Sequence, residues 1–158
     1  MKRFDKPITI VLPETVIDAA RRFSNAVATT TDYSDSNQHD KRKIADDHFI
    51  SKLEECSKAG IRDLVIDPGF GFGKTIEHNF KLLKGLSSFS VLNRPVLVGL
   101  SRKSTIYKTL GSTAAEALNG TTVLNTMALL NGASILRVHD VKEAKEAIML
   151  YNAYKKAP

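Results

Sequence analysis

The chain has 158 residues, enough for one domain with a sizeable core, and its 42% apolar content is that of a soluble globular protein. Its net charge of +6 comes from scattered lysines and arginines. Lys41-Arg42-Lys43 is the longest basic run and Lys155-Lys156 one of several basic pairs, and no zinc-finger or RNP pattern accompanies them, which argues against a nucleic-acid partner.

The amino-terminal stretch Met1 to Pro7 lacks the apolar run of a secretory signal, and no segment is long and apolar enough for a membrane span. A cytoplasmic protein with no membrane partner is expected. Ile8 to Leu12 is a β-branched run that predicts a strand, broken by Pro13. Residues 14–28 carry Val16, Ile17, Ala20, Phe23 and Val27 at helical spacing; residues 29–40 are polar and predict a loop. Helical spacing returns over 41–59 and stops at Gly60. Cys56, the single cysteine, shares a face of this helix with Ala45, Phe49 and Leu53, so a buried thiol is expected.

Leu64-Val65-Ile66 predicts a buried strand at 62–66, and 76–86 predicts a helix. Between them lies Asp67-Pro68-Gly69-Phe70-Gly71-Phe72-Gly73-Lys74-Thr75. Glycine at every second position lets backbone approach a ligand closely and take positive φ. Gly73-Lys74-Thr75 also has the ending of a P-loop, so a nucleotide binder is an alternative. The first glycine of that pattern is here Pro68, which has no amide proton for a phosphate. A purely structural turn explains the glycines but not the aspartate, lysine and phenylalanines among them.

Residues 87–94 predict a connection, and Val96 to Leu100 a strand leading into Ser101-Arg102-Lys103-Ser104-Thr105. Ser104 or Thr105 would stand near a helix N-terminus, as an anion contact or simply as an N-cap. Residues 113–130 predict a helix in which Gly120 implies close packing or a break. Ser134 to Val138 predicts a strand with Arg137 inside it, a charge that needs a partner or a ligand; a final helix is predicted over 141–154. Strands alternating with helices predict a parallel α/β sheet. In such a sheet Asp67, Lys103, Arg137 and His139 all fall at the carboxyl ends of strands, on one face, where ligands bind.

Asp67 to Lys74 (DPGFGFGK), Gly99 to Ser104 (GLSRKS) and Ile135 to Val141 (ILRVHDV) resemble, in order and spacing, the C-terminal half of the dihydropteroate synthases. The resemblance covers about residues 41–154. It implies a (β/α)8 barrel and a transferase of folate biosynthesis. Such enzymes condense 4-aminobenzoate with 6-hydroxymethyl-7,8-dihydropterin diphosphate, release pyrophosphate and use Mg2+. Carried over by position, Asp67, Phe72 and Lys103 would bind the pterin. Phe72, Lys103 and Ser104 would bind 4-aminobenzoate, and Arg137 and His139 the diphosphate. Lys103, Arg137 and His139 would serve catalysis. The resemblance also implies a homodimer packed through the C-terminal helices.

The family's N-x-T-P-D-S-F-S-D segment, which helps hold Mg2+, is absent, as are its second pterin-binding aspartate and its asparagine, so no metal ligand is assigned. Residues 1–40 match the family poorly and read as a separate strand–helix–loop segment before the half-barrel of 41–158. The expected fold is thus a TIM-barrel type with about four strands, a partial barrel. A catalytically inactive, pterin-binding remnant is the alternative function.

Overall fold

Short apolar runs build the centre of the molecule. The computed structural model describes residues 8–10, 40–60 and 63–158. β1 (Ile8–Ile10), β2 (Leu97–Val98) and β3 (Ile135–Arg137) form a parallel sheet in the order β1–β3–β2. Ile8 stands opposite Ile135, and so does Leu97 from the other side. Ile66 extends the sheet past β2 through a parallel bridge to Val96; its N–H donates to the Pro95 carbonyl at 2.9 Å, and the Leu97 N–H donates to its carbonyl at 2.7 Å. The expected parallel α/β arrangement is therefore present. The ladders are shorter than the apolar runs: among the described residues, the strand expected over 62–66 pairs only at Ile66, and that over 96–100 stops at Val98. Gly99 and Leu100 stay buried but already lead into the next loop.

The helices supply the cover. α1 (Asp40–Lys58) ends before Gly60, whose φ of +78° is the left-handed stop expected of it. Phe49 on α1 is buried and meets Phe89 edge-on, ring centroids 5.5 Å apart. Leu53 and Cys56 are only half-buried, so the thiol expected in the core lies at its margin, about two turns beyond the contact that Phe49 makes.

α2 (Ile76–Lys84) is capped by Thr75, whose hydroxyl accepts the His78 N–H at 3.1 Å, and it buries Asn79, Leu82 and Leu83. The connection expected over 87–94 is instead mostly a 3-10 helix, Leu86–Leu92, because Leu86 and Phe89, three residues apart, both reach the core. α3 (Ser104–Tyr107) is a single turn. α4 (Leu118–Leu130) starts later than the spacing predicts: Glu116 Oε2 accepts from both the N–H and the hydroxyl of Thr113, holding the preceding residues in turns. Gly120 is explained by close packing, since a Cβ there would collide with Ile106 and come within 3.0 Å of Leu110. α5 (Val141–Lys156) closes the described fold.

Ile66, Phe70, Val98, Leu100, Leu129, Leu136 and Ile148 belong to one buried cluster between sheet and helices. The helix predicted over 14–28 and the loop predicted from 29 lie outside the described residues. Among the described residues no helix is long and apolar enough to cross a membrane.

Candidate active site

The glycine loop leaves the sheet at Ile66 and is held by its near neighbours. Asp67 Oδ1 accepts the Gly69 N–H at 2.8 Å, an Asx turn at the strand end. Gly69, Gly71 and Gly73 have φ of +69°, +87° and +61°, which is the conformational reason for glycine at alternate positions. Asn79, buried on α2, reaches back: its Oδ1 accepts the Gly71 N–H at 2.8 Å, and its Nδ2 donates to the Thr75 carbonyl at 2.8 Å. The loop thereby arches over the strand end with Phe70 buried and Phe72 61% exposed. Lys74 folds onto the loop and donates to the carbonyls of Gly69 (3.0 Å) and Phe72 (3.3 Å). Its pKa is lowered by burial, against the opposing pull of Asp67. A P-loop needs free amides and a lysine directed to phosphate; here Pro68 and this lysine geometry both weigh against one.

The second loop, after β2, delivers Lys103. Its amine donates to the Phe70 carbonyl and stands 4.9 Å from the centroid of the Phe72 ring. Its stem passes under Gly71, where an added Cβ would come 3.0 Å from Lys103 Cδ. Burial lowers its pKa to about 8; Arg137 and Lys74 push in the same direction, and Asp67 opposes them. Asp67, Lys74, Lys103 and Arg137 are thus one electrostatic cluster at the carboxyl ends of three neighbouring parallel strands. Ser104 opens α3, with Lys103 rather than a serine at the N-cap position.

Arg137, at the end of β3, lies across β2. A Cβ on Gly99 would come 3.0 Å from its Nε, so glycine there leaves room for the guanidinium. Among the described residues that guanidinium has no hydrogen-bond partner. His139 is exposed and joins the site through the buried Ser101. Ser101 Oγ accepts the His139 N–H at 3.1 Å and lies 2.9 Å from its Nδ1. In the tautomer where the Ser101 hydroxyl donates to Nδ1, Nε2 would carry the ring proton as a donor.

A family described as pterin-binding enzymes matches residues 14–139. The chain belongs to the pterin-binding enzyme family. Over 108 residues it is 45% identical to dihydropteroate synthase of Escherichia coli strain K12, an alignment covering 67% of this chain and 38% of that protein. Its fold superposes on the Yersinia pestis enzyme bound to a pterin–sulfa conjugate with TM-score 0.75 and 36% identity, over 82% of this chain and 51% of that one. The Thermus thermophilus enzyme in complex with 6HMPPP gives TM-score 0.73 and 34% identity, over 82% and 55%. The chain therefore spans about two-fifths to a half of the length of these relatives.

For this pterin-binding family member, sequence reasoning placed Asp67, Lys103, Arg137 and His139 at one end of the sheet, and they are there. It missed the residues that hold them. Asn79 is a polar residue on the buried face of a short helix, a signal that was present in the pattern. Ser101, Arg102 and Asp140 act across the fold, and no local spacing reveals such contacts. The resemblance implies Mg2+, but among the described residues no three His, Cys, Asp or Glu side chains converge where a cation could sit. The described residues therefore do not supply the donor set.

Proposed function

We propose that this chain supplies the pterin, 4-aminobenzoate and diphosphate contacts of a dihydropteroate synthase. The observation that carries this reading is the half-buried Lys103 amine, set over Phe72 and beside Asp67 and Arg137 at adjacent strand ends. Asp67 has one oxygen turned to its own loop; the other has no partner among the described residues and would accept from the edge of the pterin ring. Lys103 would donate to a ring acceptor, and with Phe72 and Ser104 would border the 4-aminobenzoate. Arg137 and His139 would receive the diphosphate.

In the reaction the bond between the pterin methylene carbon and the bridging oxygen breaks, and its electron pair leaves with pyrophosphate. The aniline nitrogen forms a bond to the same carbon and gives up a proton. Negative charge grows on the leaving oxygen, which the Arg137 guanidinium and the His139 Nε2–H would stabilise. Asp67 and the phenylalanine platform would orient the pterin.

The sheet is read further as an arc of a (β/α)8 barrel. The parallel pairing of β3 with β1 on one side and β2 on the other supports this, because every strand of a closed barrel has a parallel neighbour on each side. Residues 41–158 would form the C-terminal half. A homodimer through the last helices is supported by the exposed Met127, Leu130, Met149, Leu150 and Tyr154, and by an open groove of about 940 Å3 between α4 and α5 that none of the proposed site residues lines.

The test is an assay for pyrophosphate and dihydropteroate release with both substrates and Mg2+, beside Lys103→Ala. Turnover lost in a folded variant supports the reading; an equally active variant contradicts it. The second reading is a pterin-binding remnant. It predicts binding without turnover.

A further inference from the structure

Two dipeptides face each other across the site. Ser101 holds His139, and the next residue, Arg102, holds the next, Asp140. Arg102 Nε donates to Asp140 Oδ2 at 2.9 Å and its NH2 to Oδ1 at 2.8 Å, a two-bond fork. Its NH1 donates to the carbonyls of Ala114 (3.0 Å) and Ala115 (2.7 Å), and its backbone N–H to Thr121 Oγ1 at 3.0 Å. Arg102 also has φ of +53°, the left-handed region that residues with a Cβ adopt only when their surroundings impose it. That conformation turns the chain between Ser101 and Lys103.

Neither Arg102 nor Asp140 belongs to the cluster that tunes Lys103, yet each is covalently next to a residue that would touch substrate. Lys103 and Arg137 repel each other, so their separation has to be set by something outside the pair. We propose that Arg102 and Asp140 are positioning residues, an ionic latch that fixes the Lys103 loop against the His139 loop and so sets where the amine and the imidazole meet a diphosphate-bearing ligand. This rests on the functional reading above for the identity of the ligand, but not for the latch itself. The charge pattern agrees: the hydrogen bonds from Arg102 hold the Asp140 carboxyl below its usual range, and Asp140 raises the already high pKa of Arg102. The pair thus remains ionised wherever the site would work. Glu143 and His139 are the other charged or titratable groups acting on it.

The experiment uses the full chain, Asp140→Asn and Asp140→Glu. Thermal unfolding monitors the fold. NMR of the Lys103 ammonium and the His139 ring, without ligand, reads the positioning. Calorimetry with inorganic pyrophosphate reads its consequence. Asp140→Asn is expected to unfold at a lower temperature than the parent but to remain folded, because the pair is largely buried (26% and 16% exposed) and the amide keeps one acceptor for the Arg102 fork. It is also expected to shift the Lys103 and His139 signals and to weaken pyrophosphate on the order of tenfold, as a displaced contact does. Asp140→Glu, which keeps a carboxylate, should recover part of both. Unmoved Lys103 and His139 signals in folded Asp140→Asn would overturn the latch. If those signals move but the parent chain binds no pyrophosphate at millimolar concentration, the latch stands and the functional reading fails.

Discussion

The glycine loop and the Ser-Arg-Lys-Ser loop sit side by side at the same end of one sheet, but they are held differently. The glycine loop is held from within: Asp67 to Gly69, Lys74 to Gly69 and Phe72, and Asn79 to Gly71 and Thr75, all fewer than ten residues apart. Residues 101–103 are held from a distance, by Thr121, Ala114, Ala115, His139 and Asp140, and Lys103 in turn reaches back to Phe70. The first loop can form as soon as its strand and helix do. The second exists only once β3 has docked beside β2. Lys103 joins the two, so the site is assembled by the fold rather than by either motif.

The largest expected effect is at that junction. Lys103→Ala removes the amine from both loops and, on the proposed reading, from the ligand, and turnover should then fall on the order of a hundredfold or more, with the fold retained in circular dichroism. Within the glycine loop, Asn79→Ala leaves the Gly71 amide without its partner and takes one of two donors from the Thr75 carbonyl, and chemical denaturation should show a loss of about 1–3 kcal/mol. Gly71→Ala forces a Cβ into positive φ and against the Lys103 stem. A cost of about 1–2 kcal/mol is expected in the same measurement, together with weaker pterin binding. If Asn79→Ala left stability unchanged, the idea of a self-held glycine loop would be wrong.

The smallest effect is one of pH. The Lys103 pKa of about 8 in the folded chain lies below the 10.5 of an ordinary lysine. Between those values the unfolded chain binds more protons, so this residue makes stability rise with pH from about 8 to about 10.5. Ligand affinity should run the other way, because only the protonated amine donates with its full charge. It should fall above about pH 8, approaching tenfold per pH unit. Lys103→Met should flatten both profiles.

The same contrast decides what the sequence made legible. Glycine alternation after an apolar run announces a strand end and a tight loop, and Asp67 at its start is readable from local chemistry alone. Strand–helix alternation placed Lys103, Arg137 and His139 at the same end, because parallel strands leave no other arrangement. Helix limits were blurred where side chains compete with the backbone, as Glu116 does at Thr113. Cys56 was misplaced because helical spacing gives a face, not how far along the helix the core extends. The Arg102–Asp140 pair was invisible because its partners are 38 residues apart and neither looks unusual on its own strand end.

The measurement that bears most directly on the central claim is a calorimetric titration of the chain with a dihydropterin, repeated with Asp67→Asn. The account predicts binding by the parent that the substitution weakens at least tenfold, since an amide would replace the carboxylate proposed to accept from the ring edge. Equal binding by both, or none by a well-folded parent, would contradict a pterin site built from these strand ends.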